Sequence, residues 1–250
     1  MEDEWENVWM KNVLLTGHKG FIGSNLLPKL KDHNVTTIDI LDGKDLQTCD
    51  LPEDIDCVIH LAGRSGVRDS IKNPNAYFKN NVLGSLRIFE KYKNARVIYA
   101  SSSTAAEPDR NPYAYSKMLM EKLSPANSVG LRFTTVYGPK AREFMFIPKL
   151  LNRDVQYVNT NHTRDFIHVD DVCNAILKVL HSNIAGVCDV GTGETNSLID
   201  IVNHVGLKDV EHKVGDEHER LDNQADIKPL MSTGWKPTIK LFDYLDKHYG

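Results

Sequence analysis

Thr16-Gly17-His18-Lys19-Gly20-Phe21-Ile22-Gly23 decides the fold. It stands directly behind the apolar run Val13-Leu14-Leu15 and ahead of a segment with helical periodicity over residues 20–31. Gly17 permits a tight turn, Gly20 lets backbone approach a pyrophosphate, and Gly23 permits close packing of helix on strand. The helix start adds amide donors and the positive end of a dipole for the phosphates. Asp39 follows about 20 residues on, ending a second strand over residues 35–40, where a carboxylate accepts bonds from ribose hydroxyls. A carboxylate there repels a 2′-phosphate and no arginine follows it, so NAD is expected over NADP. Lys44 is the nearby cation that argues the other way.

Outward from this turn, apolar runs alternate with amphipathic segments, the pattern of βαβ units and a parallel sheet. Strands are expected over residues 56–61, 96–100, 129–134 and 186–190, and helices over 75–92 and 113–123. Farther on come a helix at 147–151, a strand at 156–158, the run Arg164-Asp165-Phe166-Ile167-His168, a helix capped by Asp170 and ending near residue 181, and a helix at 197–205 capped by Ser197. The expected class is α/β, a Rossmann doubly wound parallel sheet with a small C-terminal substrate-binding lobe. Residues 11–140 form the NAD-binding domain, with parts of 155–190 returning to it, and 141–250 form mainly the lobe, with Trp235 packing it.

Composition narrows the function. At 250 residues, with 41% hydrophobic and 26% charged, the chain can build a core without disulfides or a structural metal. The formal net charge of −4 argues against a nucleic-acid partner. Cys49, Cys57, Cys173 and Cys188 never form a C-x-x-C pair, which fits a reducing compartment and predicts no metal site. Residues 1–10 lack a basic start and an apolar run, so no signal peptide is expected, and no apolar stretch is long enough to span a bilayer. The expectation is a soluble cytoplasmic protein with no membrane partner.

Chemistry enters at Tyr113-Ala114-Tyr115-Ser116-Lys117, which places Tyr113 and Lys117 one helical turn apart on one face. An ammonium beside a phenol lowers the phenol's pKa, so that Tyr113 can accept a proton from a sugar hydroxyl. Ser101-Ser102-Ser103-Thr104 follows the strand RVIYA at residues 96–100, on the edge of an α/β sheet where ligands bind. Ser103 is placed to bond the same sugar oxygen.

With these pieces in order the chain resembles the extended short-chain dehydrogenase/reductase family, specifically its nucleotide-sugar epimerases and dehydratases. The motifs are TGHKGFIGS at 16–24, HLAG at 60–63, NNVLGS at 80–85, SSS at 101–103, PYAYSK at 112–117, LRFTTVYGP at 131–139, RDFIHVDDV at 164–172 and GWKP at 234–237. The resemblance implies bound NAD along Gly17, Gly20, Phe21, Ile22, Gly23, Asp39, Leu61, Ala62, Gly63, Asn81, Ala100 and Ser101, with Tyr113, Lys117 and Ser103 as the catalytic set. Asp45 and Leu46 match the family's adenine contact, with Asp50-Leu51 a competing alignment. The resemblance also implies a homodimer through the helices at 75–92 and 113–123. Leu83, Leu86, Ile88, Met118 and Leu119 either form that seam or face the sheet.

Dehydratases of this family carry an Asp-Glu pair just after the catalytic hydroxyl, where this chain has Thr104-Ala105-Ala106. Epimerisation at C4 needs no such pair, so a nucleotide-sugar 4-epimerase working through a transient 4-keto sugar is the leading expectation. A ketosugar reductase or dehydratase and a non-catalytic NAD-binding sensor or scaffold are the alternatives. The stretches GVRDSIKNP at 66–74 and LRFTTVYGP, with Arg142 beyond it, are similar to those of UDP-glucuronate 4-epimerases. Arg68, Ser103, Thr104, Arg142, Arg164 and Arg220 are the expected substrate contacts. Arg142 either pairs with a sugar carboxylate or stands free at the surface. Arg164 either touches substrate or pairs with Asp165 or Asp170 to hold the lobe. Gly191-Thr192-Gly193 reads as a turn before a helix rather than a phosphate loop, and His168 as a packed, hydrogen-bonded histidine. Glu107-Pro108 stands where relatives have Tyr-Gly, and the stretch from there to Tyr113 is short for the family.

Overall fold

β1 (Asn12–Thr16) carries the apolar run Val13-Leu14-Leu15, fully buried, as a strand covered on both sheet faces must be. The computed structural model to which it belongs describes residues 10–249; residues 1–9, over which no signal peptide is expected, and residue 250 lie outside the described residues. α1 (Phe21–Leu26) follows the glycine turn, and Pro28 converts its continuation into a 3-10 turn at Leu27–Leu30, so the expected helix over 20–31 comes in two pieces. β2 (Asn34–Ile38), β3 (Cys57–His60), α2 (Val67–Lys72) and α3 (Pro74–Tyr77) come next. The expected helix over 75–92 is not uniform. A π-helical segment at Phe78–Leu83 joins α3 to α4 (Gly84–Lys91), and it turns Asn81 fully inward. Such segments concentrate at functional sites.

β4 (Arg96–Ser102), α5 (Pro112–Leu123), β5 (Val129–Phe133), β6 (Thr135–Tyr137), α6 (Phe146–Leu151), β7 (Tyr157–Asn159), β8 (Thr163–Arg164), β9 (Phe166–His168), α7 (Val169–Leu180) and β10 (Gly186–Val190) continue the chain. β11 (Asn196–Ser197), α8 (Leu198–His204), β12 (Glu211–Lys213), α9 (Lys228–Met231) and α10 (Leu241–His248) complete it. Six parallel strands form one sheet in the order β2-β1-β3-β4-β5-β10, so the winding direction reverses between β1 and β3. β6 pairs with β9, β7 with β12 and β8 with β11 in three small ladders.

Val13, Leu15, Ile59 and Leu131 pack under α7 in one core, and Leu14, Val58, Val97 and Tyr99 pack under α4 and α5 in another. A third cluster joins Ile147, Leu150, Phe166, Ile201, Leu241 and Leu245. Trp235 belongs to the first of these and not to the lobe it was expected to pack; its indole N–H donates to the Asp171 carbonyl of α7 at 3.0 Å. Ile88 faces the sheet, Leu83 is exposed, and Leu86, Met118 and Leu119 are half-buried. His168, not Asp170, caps α7: its Nδ1 accepts from the Asp170 N–H at 3.2 Å, and Asp170 pairs with Lys29. Ser197 occupies the cap position of α8 without a side-chain bond. Among the described residues no helix is long and apolar enough to cross a membrane.

Candidate active site

The reversal between β1 and β3 opens a crevice at their carboxyl ends, the usual ligand position in such sheets. Two loops meet there. A Cβ on Gly17, whose φ is +75°, would stand 2.6 Å from the Ala62 amide nitrogen, and one on Gly23 would stand 2.2 Å from the Gly17 carbonyl. Only glycine lets the turn at 17–20 lie against Ala62-Gly63, and the cradle left between them fits a dinucleotide backbone. Phe21, Ile22, Leu61 and Ala100 are half-buried against the first core and form its floor. Asp39 is buried at the end of β2, its two oxygens accepting from the N–H groups of Lys19 and Leu41, both at 2.9 Å.

A buried chain of neutral hydrogen bonds ties this cradle to α5. Ser85 bonds to the Asn81 carbonyl, which can only accept, so Ser85 must accept from His60 Nε2–H at 2.8 Å. His60 Nδ1 then accepts from Thr16 at 2.7 Å, and Thr16 accepts from the Ala62 N–H at 3.2 Å. Burial pulls the His60 imidazole down to about 3, with Lys117 adding to it, so the ring stays neutral and the directions are fixed. The Asn81 side chain accepts from Arg64 N–H and donates to the Arg64 carbonyl and to Ser116, which donates to the Tyr113 carbonyl. Asn81 thus braces the loop and helix rather than offering its amide outward.

Tyr113 lies in the first turn of α5, behind the Asn111 cap and Pro112. Its ring meets Tyr77 edge-on at 6.0 Å, and the Ser102 hydroxyl stands beside its phenol. Burial pushes the phenol above its ordinary value, opposed chiefly by the neighbouring Ser102 hydroxyl. This corrects the expectation that Lys117 lowers it: the Lys117 ammonium is buried and donates to the Ala100 carbonyl at 2.7 Å. Burial brings Lys117 itself down to about 8, with Glu121 working against the shift. The sequence pointed to Ser103 among the three serines, but it is Ser102, the last residue of β4, that stands beside the phenol. Thr104 donates to Ser102 through its hydroxyl at 2.9 Å and through its backbone N–H at 3.3 Å. Ser103 instead faces Asn223, and its carbonyl accepts from Arg220 at 2.6 Å. Ser101 is turned away from the cradle, bonded to Glu121, which also forks onto Arg132.

The remaining expected contacts separate into three groups. Arg220 joins Ser103 and also Glu107, which is clasped on its other side by Arg110. Burial works against the Glu107 charge, but the two guanidinium bonds hold its carboxyl below the ordinary range. Arg68 and Arg164 converge on Glu219, at 3.2 and 3.5 Å. Glu219, not Asp165 or Asp170, is therefore the acid partner of Arg164. Asp165 is buried and accepts from the N–H groups of Thr192, Gly193 and Ala225. The amides of Thr192 and Gly193 are thereby used, and 191–193 is a turn. Arg142 donates to Ser65 at 2.6 Å and covers Phe144. Asp45 caps its own turn through Gln47 N–H, and Leu46 packs on the second core with its carbonyl on Arg87; Leu51 packs there as well, and Asp50 is exposed. Glu219 and Asn223 lie in an irregular C-terminal segment where the sequence carries no motif to reveal them.

The profile of the NAD dependent epimerase/dehydratase family matches residues 13–191. A Methanocaldococcus jannaschii protein described as "Putative UDP-glucose 4-epimerase" is 32% identical, across 92% of this chain and 94% of its own. The structure of MoeE5 in complex with UDP-glucose and NAD superposes with a TM-score of 0.83 at 28% identity, over 95% of this chain and 97% of that one. UDP-glucuronic acid 4-epimerase from Bacillus cereus, in complex with UDP-glucuronic acid and NAD, gives 0.81 at 26% identity over 95% and 98%.

Proposed function

The chain belongs to the NAD dependent epimerase/dehydratase family, and from that premise we propose that it is a nucleotide-sugar 4-epimerase. Its cofactor is NAD, which when bound supplies the site at which hydride leaves the sugar and from which it returns. Gly17, Gly20, Gly23, Ala62 and Gly63 hold the dinucleotide backbone, and Asp39 meets its adenosine ribose. Tyr113 accepts the proton of the sugar 4-hydroxyl while C4 becomes a ketone, and gives it back after the sugar has turned over. The Ser102 hydroxyl supports the phenolate that forms between those steps. Lys117 keeps a cation beneath the site, and Arg220 carries an anionic group of the nucleotide.

The observation that carries this reading is the Tyr113–Ser102 pair at the carboxyl end of β4, with no acid in the three residues that follow Ser103. Thr104, Ala105 and Ala106 offer no carboxyl group, and Glu107 is locked between Arg110 and Arg220. Elimination of water, which requires such an acid/base, therefore finds no free carboxyl group at residues 104–107.

The test is to follow anomeric protons by NMR while the purified protein is incubated with UDP-glucose, UDP-N-acetylglucosamine or UDP-glucuronate and no reductant. A new epimer accumulating to a constant ratio is expected, with turnover falling at least ~100-fold in Tyr113→Phe. Turnover that requires a 4-keto sugar plus stoichiometric NADH would replace this reading with a reductase.

A further inference from the structure

The corner of the cradle nearest Asp39 holds more charge than a ribose requires. His18 and Lys19 lie inside the glycine turn itself. The Lys19 N–H donates to Asp39 Oδ2 at 2.9 Å, which places this residue directly beside the carboxylate that meets the ribose hydroxyls. The Lys19 ammonium, however, pairs with Asp42, and His18 Nε2 stands 3.2 Å from the other Asp42 oxygen. His18 Nδ1 is buried without a partner, so Asp42 is the group that fixes the ring. Asp42 reaches both because Asp39 caps the short 3-10 turn at Ile40–Asp42 and Gly43, at φ +74°, closes it. Lys19 is 42% exposed and Asp42 31%, so the ammonium is free to swing once its partner is removed.

We propose that Asp42 is the specificity-determining residue for the cofactor: by occupying Lys19 and His18 it denies a 2′-phosphate the cations that would bind it. Asp39 alone does not secure the choice, because it sits among Lys19, Lys44 and a histidine. With Asp42 in place two carboxylates answer those cations. Without it, a flexible ammonium is released within a side chain's length of the ribose, the position at which a cation accommodates NADP. The Lys19 bond, with Lys44 and His18 contributing, keeps the Asp42 carboxyl below its ordinary range, so the pairing persists across the neutral pH region.

The inference rests on the cofactor reading and not on the epimerase reaction, so its test is equilibrium binding of NAD+ and NADP+ to the whole chain by calorimetry. Asp42→Asn, which preserves side-chain shape, is expected to move the ratio of the two dissociation constants toward NADP+ by about tenfold or more at low salt. The shift should shrink as ionic strength rises, because the corner is exposed. Asp42→Asn with Lys19→Gln should return the ratio to that of the unsubstituted chain. A ratio that moves less than about threefold in the single variant, or stays moved in the double, overturns the proposal; Asp42→Ser serves the same reading should Asp42→Asn not fold. Failure of the unsubstituted chain to bind either dinucleotide overturns the cofactor reading itself, and this proposal with it.

Discussion

The two ends of the crevice are held together by different physics. At the cofactor end, the glycine turn lies in backbone contact with Ala62, and a neutral, buried hydrogen-bond chain runs through Thr16, His60 and Ser85 to Asn81. At the proposed sugar end, the partly exposed pairs Arg220–Glu107 and Arg68–Glu219 join segments more than 100 residues apart, and Arg110 adds to Glu107 from three residues along the chain. Buried neutral bonds in fixed directions make a rigid platform whose strength is indifferent to salt. Exposed pairs are each worth little and exchange partners readily. A site that keeps one ligand while another comes and goes needs one end of each kind.

Gly17→Ala attacks the rigid end where it has no room. A Cβ must there adopt a left-handed conformation and collide with the Ala62 backbone, for an expected loss of about 3 kcal/mol or more, together with NAD binding. Thermal melting and calorimetry check this, and a variant that melts and binds normally would mean the two loops yield easily. Lys117→Met probes the point where the ends meet, since its ammonium lies between Gly63 and the Ala100 carbonyl. With its pKa brought down to about 8, burial of the charge corresponds to a penalty of roughly 3 kcal/mol at neutral pH. Below pH 8 both folded and unfolded chains carry the proton and the penalty is full. As pH rises from 8 toward the ordinary lysine value, the unfolded chain binds more protons and the penalty is relieved. The Met variant should therefore be more stable than the unsubstituted chain at pH 7 by about 2 kcal/mol, after loss of the Ala100 bond, melt correspondingly higher, and lose that advantage by pH 10. A lower melting point at both pH values would show the ammonium to be stabilising. Glu107→Gln, the mildest change, should cost no more than about 1 kcal/mol in stability. It should also weaken the salt dependence of KM for the nucleotide sugar while leaving NAD binding unchanged; a large change in NAD affinity would show that the two ends are not separable.

Residues at the rigid end were legible because their order is local. A strand, three glycines and a helix start occupy neighbouring positions, and their periodicity announces the sheet around them. The Tyr113–Lys117 spacing is equally local, being one helical turn. The sugar end was not legible in this way. Arg164 has acids beside it in sequence at Asp165 and Asp170, yet its partner is Glu219, brought in from a segment without pattern. Asp165 is unavailable because the Thr192–Gly193 turn and Ala225 claim its oxygens. Similarly, His168 rather than Asp170 caps α7, because β9 delivers the residue before the helix with its side chain folded back on the first turn.

The sequence by itself determined the α/β class, the glycine turn, the family and the tyrosine proposed for its chemistry, since each is encoded within a few consecutive residues. Only the tertiary structure decided that Ser102 stands beside that tyrosine, that Asn81 turns inward through a π segment, that Glu107 is held by two arginines and that Asp42 holds Lys19. These outcomes depend on which side chains from distant segments compete for the same partner, and on burial that no local pattern specifies.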